Sequence, residues 1–159
     1  MPTDDAVLRK QLVEFLRGAS AHADIAAVLD DFPTEHYGSK PHNAPYSAWQ
    51  LLEHIRFTMK DLLVFSSDSH YVAAKWPDDY WPSEAAPESA SEWKQSVKAL
   101  KADFAAFEKL LEDPKTNLYS EIPWGDGQNL LREVLLAGDH TSYHLGQIVL
   151  LRKQLDVWP

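Results

Sequence analysis

Two histidines four residues apart, His140 and His144, stand in the stretch "AGDHTSYHLGQIVLLRKQL" from Ala137 to Leu155. Neutral imidazole is the commonest protein ligand for a metal ion. A helix turns about 100° per residue, so residues four apart lie about 40° from each other on its surface. If the stretch is helical, both rings project from one side and can share a single ion. That side also carries Val134, Ala137, Ile148 and Leu151, which turns the pair toward a core. A third histidine, His54, lies in "SAWQLLEHIRF", with Leu51, Thr58 and Leu62 at helical spacing along its own face. Three imidazoles from two helices would leave coordination positions open for water and substrate, the arrangement that catalytic zinc uses. The bland alternative is a set of core-edge histidines bonded to carbonyls or hydroxyls, and spacing alone leaves both readings open.

Several neighbours carry two readings each. His22 could face the same interior as an extra ligand or proton shuttle, or be structural. Glu133, two turns before His140 on nearly the same face, could orient a ligand through a hydrogen bond or pair with an arginine. Tyr143 could donate to a substrate oxygen or pack in a dimer seam. Glu53 and Asp139 each precede a histidine of interest and therefore point about 100° away from it. His36, His42 and His70 fall in predicted loops. No nucleophile elbow, P-loop or GxGxxG motif is present, so any chemistry falls to a metal.

Composition narrows the field further. The chain has 159 residues and no cysteine, which excludes disulfides, thiolate-ligated zinc, iron–sulfur clusters and a cysteine nucleophile. Twenty-four acidic residues stand against 15 basic ones, a formal net charge of −9. Duplex binding needs clustered cations, and only short groupings such as Arg152-Lys153 occur, so no nucleic-acid partner is expected. The N-terminal stretch lacks the basic and apolar regions of a signal peptide. No apolar run reaches the ~18 residues that cross a bilayer, so a cytoplasmic protein with no membrane partner is expected.

The elements that must position these residues are helices. Prolines interrupt helices, and those of this chain cluster at Pro33–Pro45, Pro77–Pro87 and Pro114–Pro123, with Pro2 and Pro159 at the ends. Four proline-free intervals remain, each with helical periodicity. The first, about Thr3–Leu29, places Val7, Leu8, Leu12, Phe15, Leu16 and Ala19 at spacings of three and four. The second opens at Ser47 with Gln50 in a capping-box pattern; the third opens at Ser89 with Glu92 in the same pattern and carries a stripe of Trp93, Val97, Leu100, Phe104 and Phe107. The fourth runs from after "WGDGQN" to about Leu155. Gly138 and Gly146 lie inside it, tolerable where a helix approaches closely or a ligand needs room. Strand signals are poor. The expectation is one all-α domain over residues 1–159, a four-helix bundle. The stretch Ser69–Pro87 is long for a simple turn and suggests a crossover or a covering loop, whose Trp76 and Trp81 could wall an entrance.

"SAWQLLEHIRF" together with "LREVLLAGDHTSYHLGQIVLLRKQL" resembles the DinB-like superfamily of four-helix metalloproteins over nearly the whole chain. The resemblance implies an up-down-down-up bundle, with the long loop crossing between helices two and three. It also implies a metal site at the matching positions His54, His140 and His144, and makes a homodimer the expected assembly. Zinc, nickel or iron suits all-nitrogen ligation. Some proteins of that family are metal-dependent transferases that activate a low-molecular-weight thiol, and others resemble hydrolases. Either activity implies a small-molecule substrate, and thiol transfer adds the low-molecular-weight thiol as a co-substrate. Two further readings stand beside the enzyme: a non-catalytic metal-binding or stress-response bundle, and a metal-free helical dimer.

Overall fold

The computed structural model describes residues 3–18 and 20–159. Five α-helices occur among them, α1 (Asp4–Arg17), α2 (Ile25–Leu29), α3 (Ala48–Ser67), α4 (Ala90–Glu112) and α5 (Leu130–Gln154), with no strand among the described residues. Thr3 starts α1 by accepting the Ala6 N–H at 3.3 Å, and Asp4 and Asp5 place negative charge at the positive end of the helix dipole. The first helix does not continue to Leu29 as its periodicity suggests. Gly18 adopts φ 76°, and its N–H closes onto the Glu14 and Phe15 carbonyls, which ends the helix in a left-handed cap. Ala19, part of the expected apolar stripe, lies outside the described residues. The chain becomes helical again at α2, where Asp24 accepts the Ala27 N–H at 2.8 Å.

The expected capping box forms at α3: the Ser47 hydroxyl accepts the Gln50 N–H, and the Gln50 side chain accepts the Ser47 N–H, both at 3.2 Å. At α4 only half of the box forms. Ser89 accepts the Glu92 N–H at 3.2 Å, but the Glu92 carboxylate takes the Glu88 N–H at 2.6 Å instead of that of Ser89. Asn129 caps α5 through the Arg132 N–H at 2.9 Å.

Trp93, Val97, Leu100, Phe104 and Phe107 are all buried, as their spacing predicts, and they meet Leu52, Ile55 and Met59 of α3 and Ile148 of α5 in one core. Burial of each such side chain contributes about 1.5–3 kcal/mol. Helix α3 packs on α4 and α5, and α1 packs on the same two. In the first turns of α3 and α4, Trp49 and Trp93 lie 6.4 Å apart, and farther along Lys60 reaches Asp103 at 3.4 Å. Just before α5, Trp124 donates to the Phe65 carbonyl near the end of α3 at 2.8 Å. Arg9 of α1 donates to the Leu111 carbonyl at the end of α4 at 2.9 Å.

Gly138 is needed where it stands, because a Cβ there would fall 2.1 Å from the Phe15 ring of α1. Gly146 meets nothing within 4 Å, so close approach does not account for it. Arg152 is 3% exposed and ties α5 to α2. Its guanidinium donates to the Val28 carbonyl at 2.9 Å and the Val157 carbonyl at 3.0 Å, and it lies over the Phe32 and Trp158 rings. No helix of the described residues is long and apolar enough to cross a membrane.

Candidate metal centre

His54 projects from α3 and is 2% exposed; His140 and His144 project from α5, the first half-buried and the second 7% exposed. One ring nitrogen from each lies within 4.8 Å of the others. The rings meet edge to face, with centroids 4.6–4.8 Å apart. Helical spacing accounts for the α5 pair, and the packing of α3 against α5 brings His54 to it.

Hydrogen bonds to the rings decide which nitrogens are available. His54 Nδ1 lies 2.9 Å from the Tyr80 carbonyl oxygen, which can only accept, so Nδ1 carries the proton and Nε2 the lone pair. His144 Nδ1 donates to Gln147 Oε1 at 2.8 Å, leaving its Nε2 able to bind an ion. Outer partners of this kind fix the tautomer and orientation of metal-binding imidazoles. His140 Nε2 and His54 Nε2 are 2.9 Å apart. Two nitrogens about 2.05 Å from one tetrahedral zinc would be separated by about 3.3 Å, so a few tenths of an ångström of opening converts this hydrogen bond into a shared ligand edge.

Burial favours the neutral form of all three rings. It lowers the His140 pKa to about 3, with the neighbouring His144 and His54 adding to the shift. His54 and His144 are lowered chiefly by burial, opposed in part by the bonds to Tyr80 and Gln147. Neutral imidazoles offer their lone pairs to a cation without first losing a proton. The donor set therefore fits a divalent ion.

The long connection between α3 and α4, helical only at a 3₁₀ turn over Asp78–Tyr80, closes over this site. Trp81 stacks on His54, with centroids 3.8 Å apart and planes 7° from parallel, and Tyr46 in turn stacks on Trp81, with centroids 4.0 Å apart. Asp61 of α3 anchors the loop by accepting the hydroxyls of Tyr80 at 2.7 Å and Tyr71 at 3.0 Å. Burial and this carboxylate push the Tyr71 hydroxyl up to about 12 and raise that of Tyr80 as well. Of the two loop tryptophans, Trp81 walls the site, whereas Trp76 is 67% exposed.

The other candidates sit elsewhere. His22 does not face the interior: α1 has ended at Gly18, and the ring is exposed, bonded through Nδ1 to the adjacent Ala23 carbonyl at 2.9 Å. Glu133 is 1% exposed and pairs with Arg132 at 2.5 Å rather than with a histidine. Tyr143 is 65% exposed, its ring edge-on to His144 at 4.8 Å. Glu53 pairs with Arg56 at 2.6 Å, and Asp139 is exposed. Sequence reasoning passed over Gln147, although its i+3 spacing from His144 is a readable signal. It also passed over Asp61 and the Tyr80 carbonyl, whose contribution comes from backbone and carries no residue-type signal.

A family model described as the DinB superfamily matches residues 18–148, which include all three histidines. No curated protein and no solved structure matches the chain.

Proposed function

Because the chain belongs to the DinB superfamily, we propose that His54, His140 and His144 hold one divalent cation, zinc, nickel or iron, at the centre of a metal-dependent enzyme. Its reaction is transfer of a low-molecular-weight thiol or hydrolysis, on a small-molecule substrate. The observation that carries this reading is the convergence of three neutral, oriented imidazoles from two helices. A cation held there supplies Lewis-acid activation of a water or thiol.

The residues of the chain have separate tasks in this reading. His54 and His144 keep their Nδ1 protons on the Tyr80 carbonyl and Gln147 Oε1. His140, whose Nε2–H donates to His54 Nε2, moves that proton to Nδ1 to bind a cation. His54, His140 and His144 are three uncharged donors, so a cation held by them would keep its full positive charge and would favour a negatively charged group beside it. Trp81 and the loop behind it exclude water from one side of His54.

The helices of the proposed enzyme run up-down-down-up, with the 68–89 connection as the crossover. This is supported by Trp49 beside Trp93 in two first turns, by Trp124 at the end of α3, and by Arg9 at the end of α4. A homodimer through α1 and α5 is supported by exposed Val7, Phe15 and Leu135, and sedimentation of the native chain tests it.

Metal content tests the function. Near-stoichiometric ion in protein purified without a histidine tag, lost in folded His54→Ala and His140→Ala, is expected. Turnover in a thiol-transfer or hydrolase screen should disappear in the same variants. Bound metal without turnover, and a large fall in melting temperature on chelation, would assign the ion a structural role instead.

A further inference from the structure

A cavity of about 440 Å³ lies behind His144, between the 41–46 segment and the second half of α5. Its walls include Tyr46, Leu51, Tyr143, Gln147, Leu150 and Leu151. The volume lies within the roughly 300–1,000 Å³ of small-molecule sites, and an apolar lining with a few polar groups is their usual chemistry. No aspartate, glutamate, lysine or arginine lines it, in a chain of net charge −9. An ion entering such a cavity would lose hydration, with only the exposed His42 imidazole in the lining able to carry a charge, whereas a neutral ligand would not.

The cavity is joined to the metal centre without being part of it. Gln147 lines it and accepts the His144 Nδ1–H at 2.8 Å; Tyr143 lines it and meets the His144 ring. Tyr46 lines it and stacks on Trp81, which stacks on His54. The opposite wall includes His42, which with the adjacent Asn43 lies in the left-handed region, at φ 51° and 60°.

We propose that this cavity is a second small-molecule site, which takes a neutral, mainly apolar ligand with one hydrogen-bonding group for the Gln147 amide or the Tyr143 hydroxyl. The site stands apart from the cation: its lining includes none of the three histidines, so it forms with or without metal.

N-phenyl-1-naphthylamine, a neutral fluorescent probe with one N–H, tests it against 8-anilinonaphthalene-1-sulfonate, which has the same rings and a negative charge. The native chain, His140→Ala and Leu150→Glu are titrated with each probe. Leu150 is 55% exposed, so a carboxylate there charges the wall without entering the core. Expected are one saturable neutral-probe site per chain, at least tenfold tighter than for the sulfonate, unchanged in His140→Ala and weakened at least tenfold in folded Leu150→Glu. Absent or non-saturable binding, equal affinity for the sulfonate, or indifference to Leu150→Glu overturns the proposal. So does a native dimer that Leu150→Glu dissociates and that excludes the probe, since a second copy would then be the occupant. Zinc content measured on the same samples separates the two readings: probe binding without zinc defeats only the metal centre, and zinc without probe binding defeats only this cavity.

Discussion

Replacing Asp61 with asparagine should release the loop that backs His54 while leaving the bundle intact. The carboxylate accepts two tyrosine hydroxyls, from Tyr80 at 2.7 Å and Tyr71 at 3.0 Å. A hydrogen bond to a charged acceptor contributes about 1.5–3 kcal/mol. Asparagine has one acceptor oxygen, so one hydroxyl can no longer donate to residue 61 and only accepts from its NH2, while the other keeps a weaker, uncharged acceptor. Because both tyrosines are partly exposed, water recovers some of the loss, and about 1–3 kcal/mol of local stability should disappear. That corresponds to roughly 5- to 150-fold more frequent opening of the loop. Native-state hydrogen exchange reads this directly at the amides of Asp79 and Tyr80, which are bonded to the Lys75 and Pro77 carbonyls. They should exchange faster by that factor, and the His54 Nδ1–H resonance should broaden as the Tyr80 carbonyl moves. Amides in the middle of α4 should keep their native rates. Unchanged exchange at Asp79 and Tyr80 would refute the anchoring role; equal acceleration throughout the chain would show that Asp61 supports the whole bundle instead.

Four further perturbations probe the same structure. In metal-free protein the unfolded chain protonates His140 below its ordinary 6.5, whereas the folded chain resists until about 3. This contribution to stability is therefore complete above about pH 6.5 and is lost as pH falls toward 3. Denaturation midpoints should show that slope in native protein and a shallower one in His140→Gln. Gly146→Ala meets no atom within 4 Å and should raise stability by about 0.5–1 kcal/mol in a thermal melt. Gly138→Ala, by contrast, should lower it, because its Cβ would overlap the Phe15 ring. Arg152→Leu strips donors from the Ala27, Val28 and Val157 carbonyls and should cost about 3 kcal/mol or more in urea denaturation.

The parts of this molecule that could be read from sequence are those governed by local periodicity. The Trp93–Phe107 stripe, the Ser47 box and the His140–His144 pair all follow from helical geometry within a few residues. His54 was legible because its apolar neighbours fix its face. Residues after Gly18 were misread because periodicity continues through them, whereas a glycine able to take positive φ ends the helix at almost no cost. The wall of the three-histidine cluster was harder. Trp81 reaches His54 because Asp61 with two tyrosines, and Ser47 and Gln50 at the start of α3, hold the loop back over α3, a set of contacts that no short pattern encodes.

X-ray absorption of the zinc-loaded native chain would test the central claim most directly. The account predicts one zinc per chain with three imidazole nitrogens at about 2.0–2.1 Å and at least one further light-atom ligand in the open position. Fewer than two imidazoles, or zinc spread over several carboxylate sites, would contradict it.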